Sequence, residues 1–214
     1  DIDDFFSKDP NNKDSTKNKT HLANLTYENR NDIAITKVYA NYTDIKRTST
    51  NTFVPDYKGV IKEYGVNTSI GYLDSSNITL GADYKKFEDK KIVEDFTNES
   101  RVKNYNNKGI FITNTNKFFD DKTILTQALR YDRYSDFENK TTGKIGIKQY
   151  IIDDLNISSN YGTGYNIPNT FQLYDATNGN QDLSPEKTKS YDVGIEYKGF
   201  SITYFNTKVN NLIQ

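Results

Sequence analysis

The sequence predicts an all-β fold, an antiparallel transmembrane β-barrel. Three observations support this prediction. Side chains alternate with period two from Thr20 to the end of the chain, short and long connections follow one another in turn, and aromatic residues gather near the predicted strand ends. Helical periodicity is nearly absent, so the regular structure is expected to consist of strands.

The alternation is clearest in four segments. The first runs from Val66 to Tyr72, where apolar or β-branched residues share one face and Asn67, Ser69 and Gly71 share the other. Three later segments repeat the pattern, with these residues on the apolar face: Ile78, Leu80, Ala82 and Tyr84; Leu125, Leu129 and Tyr131; Tyr191, Val193, Ile195 and Tyr197. Each segment therefore predicts a strand with one apolar face and one small, polar or charged face.

The predicted connections fall into two classes that alternate along the chain. Short turns rich in Asn, Asp or Gly are predicted at 28–32, 74–77, 120–122, 153–154 and 198–199. Long polar loops are predicted at 1–19, 43–60, 88–103, 135–142 and 162–187. This alternation is typical of transmembrane barrels, which have tight periplasmic turns and long extracellular loops. We expect about ten strands of roughly 9 to 13 residues, long enough to cross a bilayer at a tilt.

The composition excludes several classes of protein. Only 34% of residues are apolar, but 14% are aromatic, which argues against simple disorder. With 28 basic and 29 acidic side chains the formal charge is −1, and no basic stripe predicts a nucleic-acid partner. There is no Cys, which excludes disulfides and thiolate metal sites. No apolar run is long enough for a membrane helix, whereas membrane strands escape such a search because their two faces average out.

Candidate catalytic and metal residues are few. His21 is the single histidine and no G-x-S-x-G elbow accompanies it, so it is not predicted to act as a base. The acidic stretch near the start has loosely calcium-like spacing but lacks the Gly and bidentate Glu of an EF-hand, which favours a solvated loop. Its residues are Asp1, Asp3, Asp4, Asp9, Asn11 and Asp14. The sequence therefore predicts no catalytic residue, cofactor or metal ligand.

The most specific signal lies after Tyr161. Its ordered elements are Gly164, Tyr165, Pro168, Gln172, Leu173 and Tyr174; Gly179, Asn180, Leu183, Pro185 and Glu186; Tyr191, Gly194 and Glu196; and Phe205, Asn211, Leu212 and Ile213. In this order and spacing they resemble the TonB-dependent outer-membrane receptor family. The earlier part of the chain resembles that family in its rhythm of strands and loops. Small departures occur at Ile167-Pro168 and Ser184-Pro185, where the family more often has Ala-Pro and Lys-Pro.

The resemblance implies a location and a function. Receptors of this family have a plug domain inside a barrel of ~22 strands in the cell outer membrane. Residues 1–214 are then expected to be part of such a barrel, without the plug and the C-terminal strands. The implied partners are outer-membrane lipid, the TonB–ExbB–ExbD complex acting through the plug, and a ligand that is a ferric siderophore, haem or cobalamin. The lumen is expected to be lined by polar-face residues such as Asp83, Lys85, Arg130, Asp132 and Glu196.

Site residues follow from the same segment. Flat aromatic rings in the longest predicted loop suit catecholates, corrins or porphyrins, so Tyr165, Phe171 and Tyr174 are predicted to contribute to ligand capture. The other motif residues are predicted to be structural: Pro168, Gly179, Asn180, Leu183, Pro185, Glu186, Gly194 and Glu196. Two alternatives remain at this point, a soluble or surface β-sandwich binding module and an outer-membrane barrel enzyme.

Overall fold

Strands make up most of the part of the chain that the structure describes. The computed structural model describes residues 15–50, 56–73, 75–92, 104–169, 172–173 and 179–213. The described part contains ten strands: β1 (Thr16–Arg30), β2 (Ala34–Ser49), β3 (Tyr57–Tyr72), β4 (Ser76–Ile92), β5 (Asn104–Phe118), β6 (Thr123–Tyr134), β7 (Lys140–Ile152), β8 (Leu155–Asn166), β9 (Glu186–Tyr197) and β10 (Phe200–Asn210). The predicted number of strands is confirmed.

All ten strands belong to one antiparallel sheet, in which each strand pairs with its neighbours in chain order. The register is regular, with irregularities between Lys58 and Gly59 and between Tyr150 and Ile152. A β-sandwich needs two packed sheets, so the sandwich alternative does not fit the described strands. Among the described residues, no helix is long and apolar enough to cross a membrane.

The register divides the sheet into an apolar face and a polar face, because directly paired residues lie on the same face. One apolar row runs across β2 to β6 through Val38, Val66, Ala82, Ile110 and Tyr131. The corresponding face of the later strands carries Ile145, Tyr161 and Tyr191. Many of these side chains are far from buried, with Val38 49% and Ile110 60% exposed. A continuous exposed apolar surface of this kind marks a face that contacts something other than water.

The two ends of the sheet differ in their connections. The turn end carries the short turns 31–33, 73–75, 119–122, 153–154 and 198–199, and the loop end carries the connections 50–56, 93–103, 135–139 and 167–185. At the turn end, Lys198 and Gly199 both have positive φ, 47° and 83°. Positive φ at both central residues gives the two-residue hairpin turn whose twist matches that of the flanking strands. The predicted alternation of short turns and long loops is confirmed.

The predicted boundaries of the long loops are wrong. The stretch 43–60 was expected to be loop, yet β2 continues to Ser49 and β3 starts at Tyr57. The stretch 162–187 is likewise too wide, because β8 continues to Asn166 and β9 starts at Glu186. The stretches 1–19, 88–103 and 135–142 also overlap strands β1, β4 and β7. Strands reach 17 residues rather than roughly 13. The prediction was too short because the loop-end segments of the strands carry polar residues on both faces and lose the alternating pattern.

Candidate functional site

A chain of polar contacts crosses β1 to β4 on the polar face. Asn24 donates a hydrogen bond to Asn41, and Asn41 Nδ2 donates to Glu63 Oε2 at 3.1 Å. Lys85 Nζ lies 3.3 Å from Glu63 Oε1. These four residues are directly paired across the strands, so they form one row of linked amide, carboxylate and ammonium groups.

Arg130 on β6 connects to β4 across the intervening strand β5. Its Nη1 and Nη2 donate to the two carboxylate oxygens of Asp83 at 2.7 and 2.9 Å, and its Nε donates to Asp132 Oδ2 at 2.8 Å. The side chains of Asp83 and Asp132 are only 8% and 10% exposed. Asn107 Nδ2 adds a hydrogen bond to Asp132 at 3.0 Å. One guanidinium thus holds two nearly buried carboxylates, with bidentate geometry toward Asp83.

Glycine on β5 makes this bridge possible. Gly109 is the residue directly paired with both Asp83 and Asp132, and a Cβ added there would lie 2.6 Å from Arg130 Cζ. Gly65 on β3 is covered in the same way, since a Cβ there would lie 2.6 Å from Cε1 of Tyr39. These two glycines provide the space in which a neighbouring strand's side chain lies flat over the sheet.

The five residues expected to line the lumen all lie on the polar face. Asp83, Lys85, Arg130 and Asp132 are close together on β4 and β6, as described above. Glu196 lies apart from them on β9, where it accepts a hydrogen bond from Asn156 at 3.2 Å. The structure therefore joins Asp83, Arg130 and Asp132 in one network, while Lys85 pairs with Glu63 in the row that crosses β1 to β4.

Five aromatic rings form a continuous cluster at the loop end. Phe87 and Tyr105 stack with ring centroids 4.5 Å apart, and Tyr105 contacts Phe137 edge-on at 6.1 Å. Phe137 also meets Tyr134 at 6.4 Å, and Tyr134 lies 5.6 Å from Tyr165. The cluster joins β4, β5, the β6–β7 connection and β8, so it brings together residues that are far apart in the chain.

Tyr165 is fixed in this cluster by polar contacts as well. Its hydroxyl donates to the backbone oxygen of Glu138 at 3.2 Å, and Lys140 Nζ lies 5.7 Å from its ring centroid. The Glu138 carboxylate in turn pairs with Lys187 Nζ at 3.3 Å. Tyr165 was expected in a loop, but it is the second-last residue of β8 and connects that strand to the β6–β7 connection.

A cavity of about 330 Å³ lies where the ring cluster meets the Arg130 network. Its lining includes Phe87, Tyr134 and Tyr165 together with Lys85, Arg130 and Asp132. A larger groove of about 800 Å³ is lined mainly by apolar-face residues such as Leu25, Val38 and Tyr64. The smaller cavity combines rings with charged groups at the loop end of the polar face, which is the lining expected where a ligand is recognised.

The three predicted ligand residues have different outcomes. Tyr165 lines the cavity, whereas Phe171 and Tyr174 lie outside the described residues and stay predictions. Phe87, Tyr105, Tyr134 and Phe137 were missed. The signal for Phe87 was available, because the alternation through Asp83 and Lys85 continues to it on the polar face.

The motif residues of the loop after β8 make internal contacts. Pro168 is fully buried. The backbone N–H of Asn180 donates to the Gln172 oxygen at 2.8 Å, and that of Leu183 donates to the Asn180 oxygen at 3.4 Å. Gly179 is exposed. The structural role of the loop motif stays a prediction.

The motif residues at the start of β9 connect three segments. Pro185 is buried, and its backbone oxygen accepts a hydrogen bond from Asn211 Nδ2 at 3.4 Å. Glu186 accepts one hydrogen bond from Asn166 Nδ2 and one from the backbone N–H of Ile213, both at 2.9 Å. The Pro-Glu pair therefore joins the end of β8 to the segment after β10, and its predicted structural role stays a prediction.

Gly194 and His21 complete the predicted positions. A Cβ added at Gly194 would lie 3.1 Å from Thr203 Oγ1 and 3.3 Å from Ser158 Oγ, so this position is tightly packed. His21 is exposed on β1, directly paired with Asp44. Across the described part of the chain, no group of three or more His, Cys, Asp or Glu side chains is placed to hold a metal ion.

Known proteins share this architecture. The family model described as TonB dependent receptor-like, beta-barrel matches residues 1–214. The vitamin B12 transporter BtuB of Vibrio cholerae is 32% identical over 94 residues, which are 42% of this chain and 15% of that protein. The siderophore receptor PirA of Pseudomonas aeruginosa superposes with a TM-score of 0.77 at 15% identity, covering 92% of this chain and 40% of that one.

A further structural relative is a mutant of the ferric enterobactin receptor PfeA of Pseudomonas aeruginosa in complex with enterobactin. Its TM-score is 0.74 at 14% identity, covering 91% of this chain and 35% of that one. The chain thus spans less than half the length of the relatives it resembles. Because the family model matches the whole length of this chain, the chain belongs to the family of TonB-dependent receptor β-barrels.

Proposed function

We propose that this chain forms part of the barrel wall of an outer-membrane transporter that imports a scarce metal chelate or cobalamin. The apolar face contacts membrane lipid, and the polar face lines the lumen. Further strands and a plug domain come from the rest of the protein. The TonB–ExbB–ExbD complex acts through the plug to open the transport path in the lumen. We also propose that the chain acts by binding and transport, without catalysing a reaction. The family membership and the exposed apolar face support this assignment.

The ring-lined cavity at the loop end is the observation that carries the proposal. Ligand arriving from outside the cell meets the long loops first, and the cavity lies at that end of the polar face. Phe87, Tyr134 and Tyr165 line it and offer flat apolar contact area with little loss of side-chain entropy. Flat, partly apolar ligands such as catecholates, corrins and porphyrins match such a surface.

The charged groups beneath the rings suit a chelate with polar substituents. Lys85 and Arg130 line the cavity together with Asp132. Arg130 is already committed to Asp83 and Asp132, whereas Lys85 pairs with one carboxylate among the described residues, that of Glu63. Lys85 is therefore the cation best placed to exchange its partner for an acidic group of the ligand. The relatives include both a vitamin B12 transporter and siderophore receptors, so the ligand class is decided by experiment.

Uptake measurements test the proposal. A strain lacking the receptor is complemented with the full-length protein, and import of ferric siderophores, haem and cobalamin is followed with labelled ligands. We expect complementation to restore import of one of these classes. If import of all three is the same with and without the protein, the transport function is wrong.

Ring substitutions test the site within the same receptor. Tyr134→Ala with Tyr165→Ala removes two adjoining rings of the cavity, and we expect ligand affinity to fall by about tenfold, or ~1.4 kcal/mol. Tyr150→Ala is the matched control, because Tyr150 lies at the turn end of β7 and contacts Lys148 instead of the cluster. Phe171→Ala with Tyr174→Ala is expected to weaken binding to a similar degree. Equal losses in the control, or losses that only follow the amount of folded barrel, would contradict a ligand role for the rings.

A further inference from the structure

A band of cations lies on the apolar face at the loop end, next to a row of tyrosines. Tyr64 and Tyr84 are directly paired, and the same row continues into Lys108 and Arg133. Rows nearer the loops carry additional cations on this face. Two further cations lie at the loop end of β9 and β10. We call this set the cation band: Lys19, Lys46, Lys58, Lys62, Lys86, Lys108, Arg133, Lys189 and Lys208.

Neighbouring members of the cation band face one another directly across the strands. The pairs are Lys19 with Lys46, Lys46 with Lys58, Lys62 with Lys86, Lys108 with Arg133, and Lys189 with Lys208. Directly opposed like charges destabilise a sheet. Five such pairs near the loop ends of the strands therefore need a compensating source of negative charge.

The described residues supply little of that charge. Glu88 lies 3.2 Å from Lys62 Nζ and 2.7 Å from Lys86 Nζ, so it compensates one of the five pairs. Asp44 also lies on this face, between the rows of the band, and His21 is its partner on β1. Within the described residues, the other band members make no ion pair with an acidic side chain. Lys108 and Arg133 are both exposed.

We propose that the cation band binds the phosphate groups of an anionic lipid leaflet at the loop end of the barrel. Tyrosines occupy the boundary between hydrocarbon and headgroups, and the cation band lies beside Tyr64 and Tyr84 and beyond them toward the loop end, where headgroup phosphates are found. Each Lys or Arg near an anionic lipid surface contributes favourable binding free energy. A phosphate between two opposed cations removes their repulsion. The inference rests on the proposed membrane location and is independent of the ligand that is transported.

The test uses the full-length receptor in an uncharged detergent, titrated with bis-phosphorylated lipid A and followed by native mass spectrometry. Lys108→Gln with Arg133→Gln and, separately, Lys189→Gln with Lys208→Gln remove two of the opposed pairs. We expect each double variant to lower the affinity for this lipid on the order of tenfold. Lys122→Gln with Lys198→Gln, in exposed turns at the opposite end, is the control and should leave the affinity within about twofold.

The sign of the stability change gives a second readout. Without lipid, each band variant should unfold at a higher urea concentration than the parent, because a cation–cation contact is gone. With the phosphorylated lipid the order should reverse. Since the two band variants lie on different strands, a folding failure of one leaves the other decisive.

Three outcomes would overturn the proposal. Dephosphorylated lipid A binding as tightly as the phosphorylated form would show that phosphate is not recognised. An equal loss of affinity in the turn-end control would show that general charge, not the band, is responsible. Displacement of the lipid by inorganic phosphate at equal concentration would show a site for free phosphate rather than for a leaflet. Lipid binding as expected, together with import that is the same with and without the parent receptor, would instead count against the proposed function alone.

Discussion

Arg130 reaches Asp83 only because the residue between them on β5 is Gly109. The guanidinium lies over the glycine and makes two hydrogen bonds to Asp83, at 2.7 and 2.9 Å. Hydrogen bonds between charged groups are each worth about 1.5 to 3 kcal/mol when well shielded. Arg130 is one-third exposed, so the net contribution is expected near the lower end of that range.

Substituting Gly109 tests this arrangement at the scale of one methyl group. Gly109→Ala places a Cβ against the guanidinium, and we expect the free energy of unfolding of the full-length receptor to fall by about 1 to 3 kcal/mol. Gly71→Ala is the matched control, since a Cβ there meets nothing within 4 Å. We expect it to change stability by about 0.5 kcal/mol or less. Urea unfolding in micelles measures both, and equal effects at the two positions would contradict the steric explanation.

At the scale of strands and turns, the sequence predicted what local chemistry determines. The alternation from Val66 to Tyr72 and from Ile78 to Tyr84 recurs in the paired strands β3 and β4. The turn at Lys198 and Gly199 was also predicted, because Gly accepts positive φ. Strand ends such as the loop end of β2 were not predicted, since backbone pairing there continues after the apolar pattern has stopped.

The candidate site was predicted only in part for a related reason. Tyr165 was identified from its motif and lies in the cavity. Its neighbours Tyr105 and Phe137 come from other strands and connections. Which rings meet depends on the register of β4 to β8, and no pattern within a single segment contains that register.

Two turns at the turn end are joined by a carboxylate. Asp121 in the β5–β6 turn accepts a hydrogen bond from Ser75 Oγ at 2.6 Å, and Lys117 Nζ lies 3.0 Å from its other oxygen. The Ser75 hydroxyl and then the Lys117 ammonium hold the pKa of the Asp121 carboxyl below its usual range. A depressed pKa means that the contact stabilises the fold above the usual carboxyl pKa and that this stability is lost as pH falls through the folded pKa.

Ser75→Ala should therefore have a pH-dependent effect. We expect the variant to be less stable than the parent at neutral pH, and the difference to shrink as Asp121 becomes protonated in acid. In the background Asp121→Asn, the same Ser75 substitution should have no pH-dependent effect. Urea midpoints measured across the acid range decide this. A Ser75 effect that is constant with pH would place its origin elsewhere than in the carboxylate.

For the whole molecule, the stability of the sheet depends on what covers its apolar face. The buried hydrophobic residues of the described part are Val60, Tyr105 and Leu173, far fewer than the core of a water-soluble domain of this size requires. Meanwhile Leu80 and Leu129, which lie on either side of Ile112 in one apolar row, are 49% and 54% exposed. Hydrocarbon around this face would supply the apolar contact that the chain does not make with itself.

Arginine placed on either face of β5 tests this directly. Ile112 lies in the apolar row with Leu80 and Leu129, while the adjacent Thr113 lies on the polar face, between Thr79 and Ala128. If the apolar face contacts lipid, Ile112→Arg puts a charge into hydrocarbon. We then expect it to lower the free energy of unfolding in lipid vesicles by about 2 to 4 kcal/mol, as for arginine at the bilayer midplane. Thr113→Arg lies at the same depth but faces the lumen, where its small neutral neighbours leave room, so its cost should be under about 1 kcal/mol. Both free energies are measured by urea titration of the full-length receptor in vesicles. If the two arginines cost the same, or if Thr113→Arg costs more, the apolar face does not contact lipid and the assignment of the two faces is reversed or wrong.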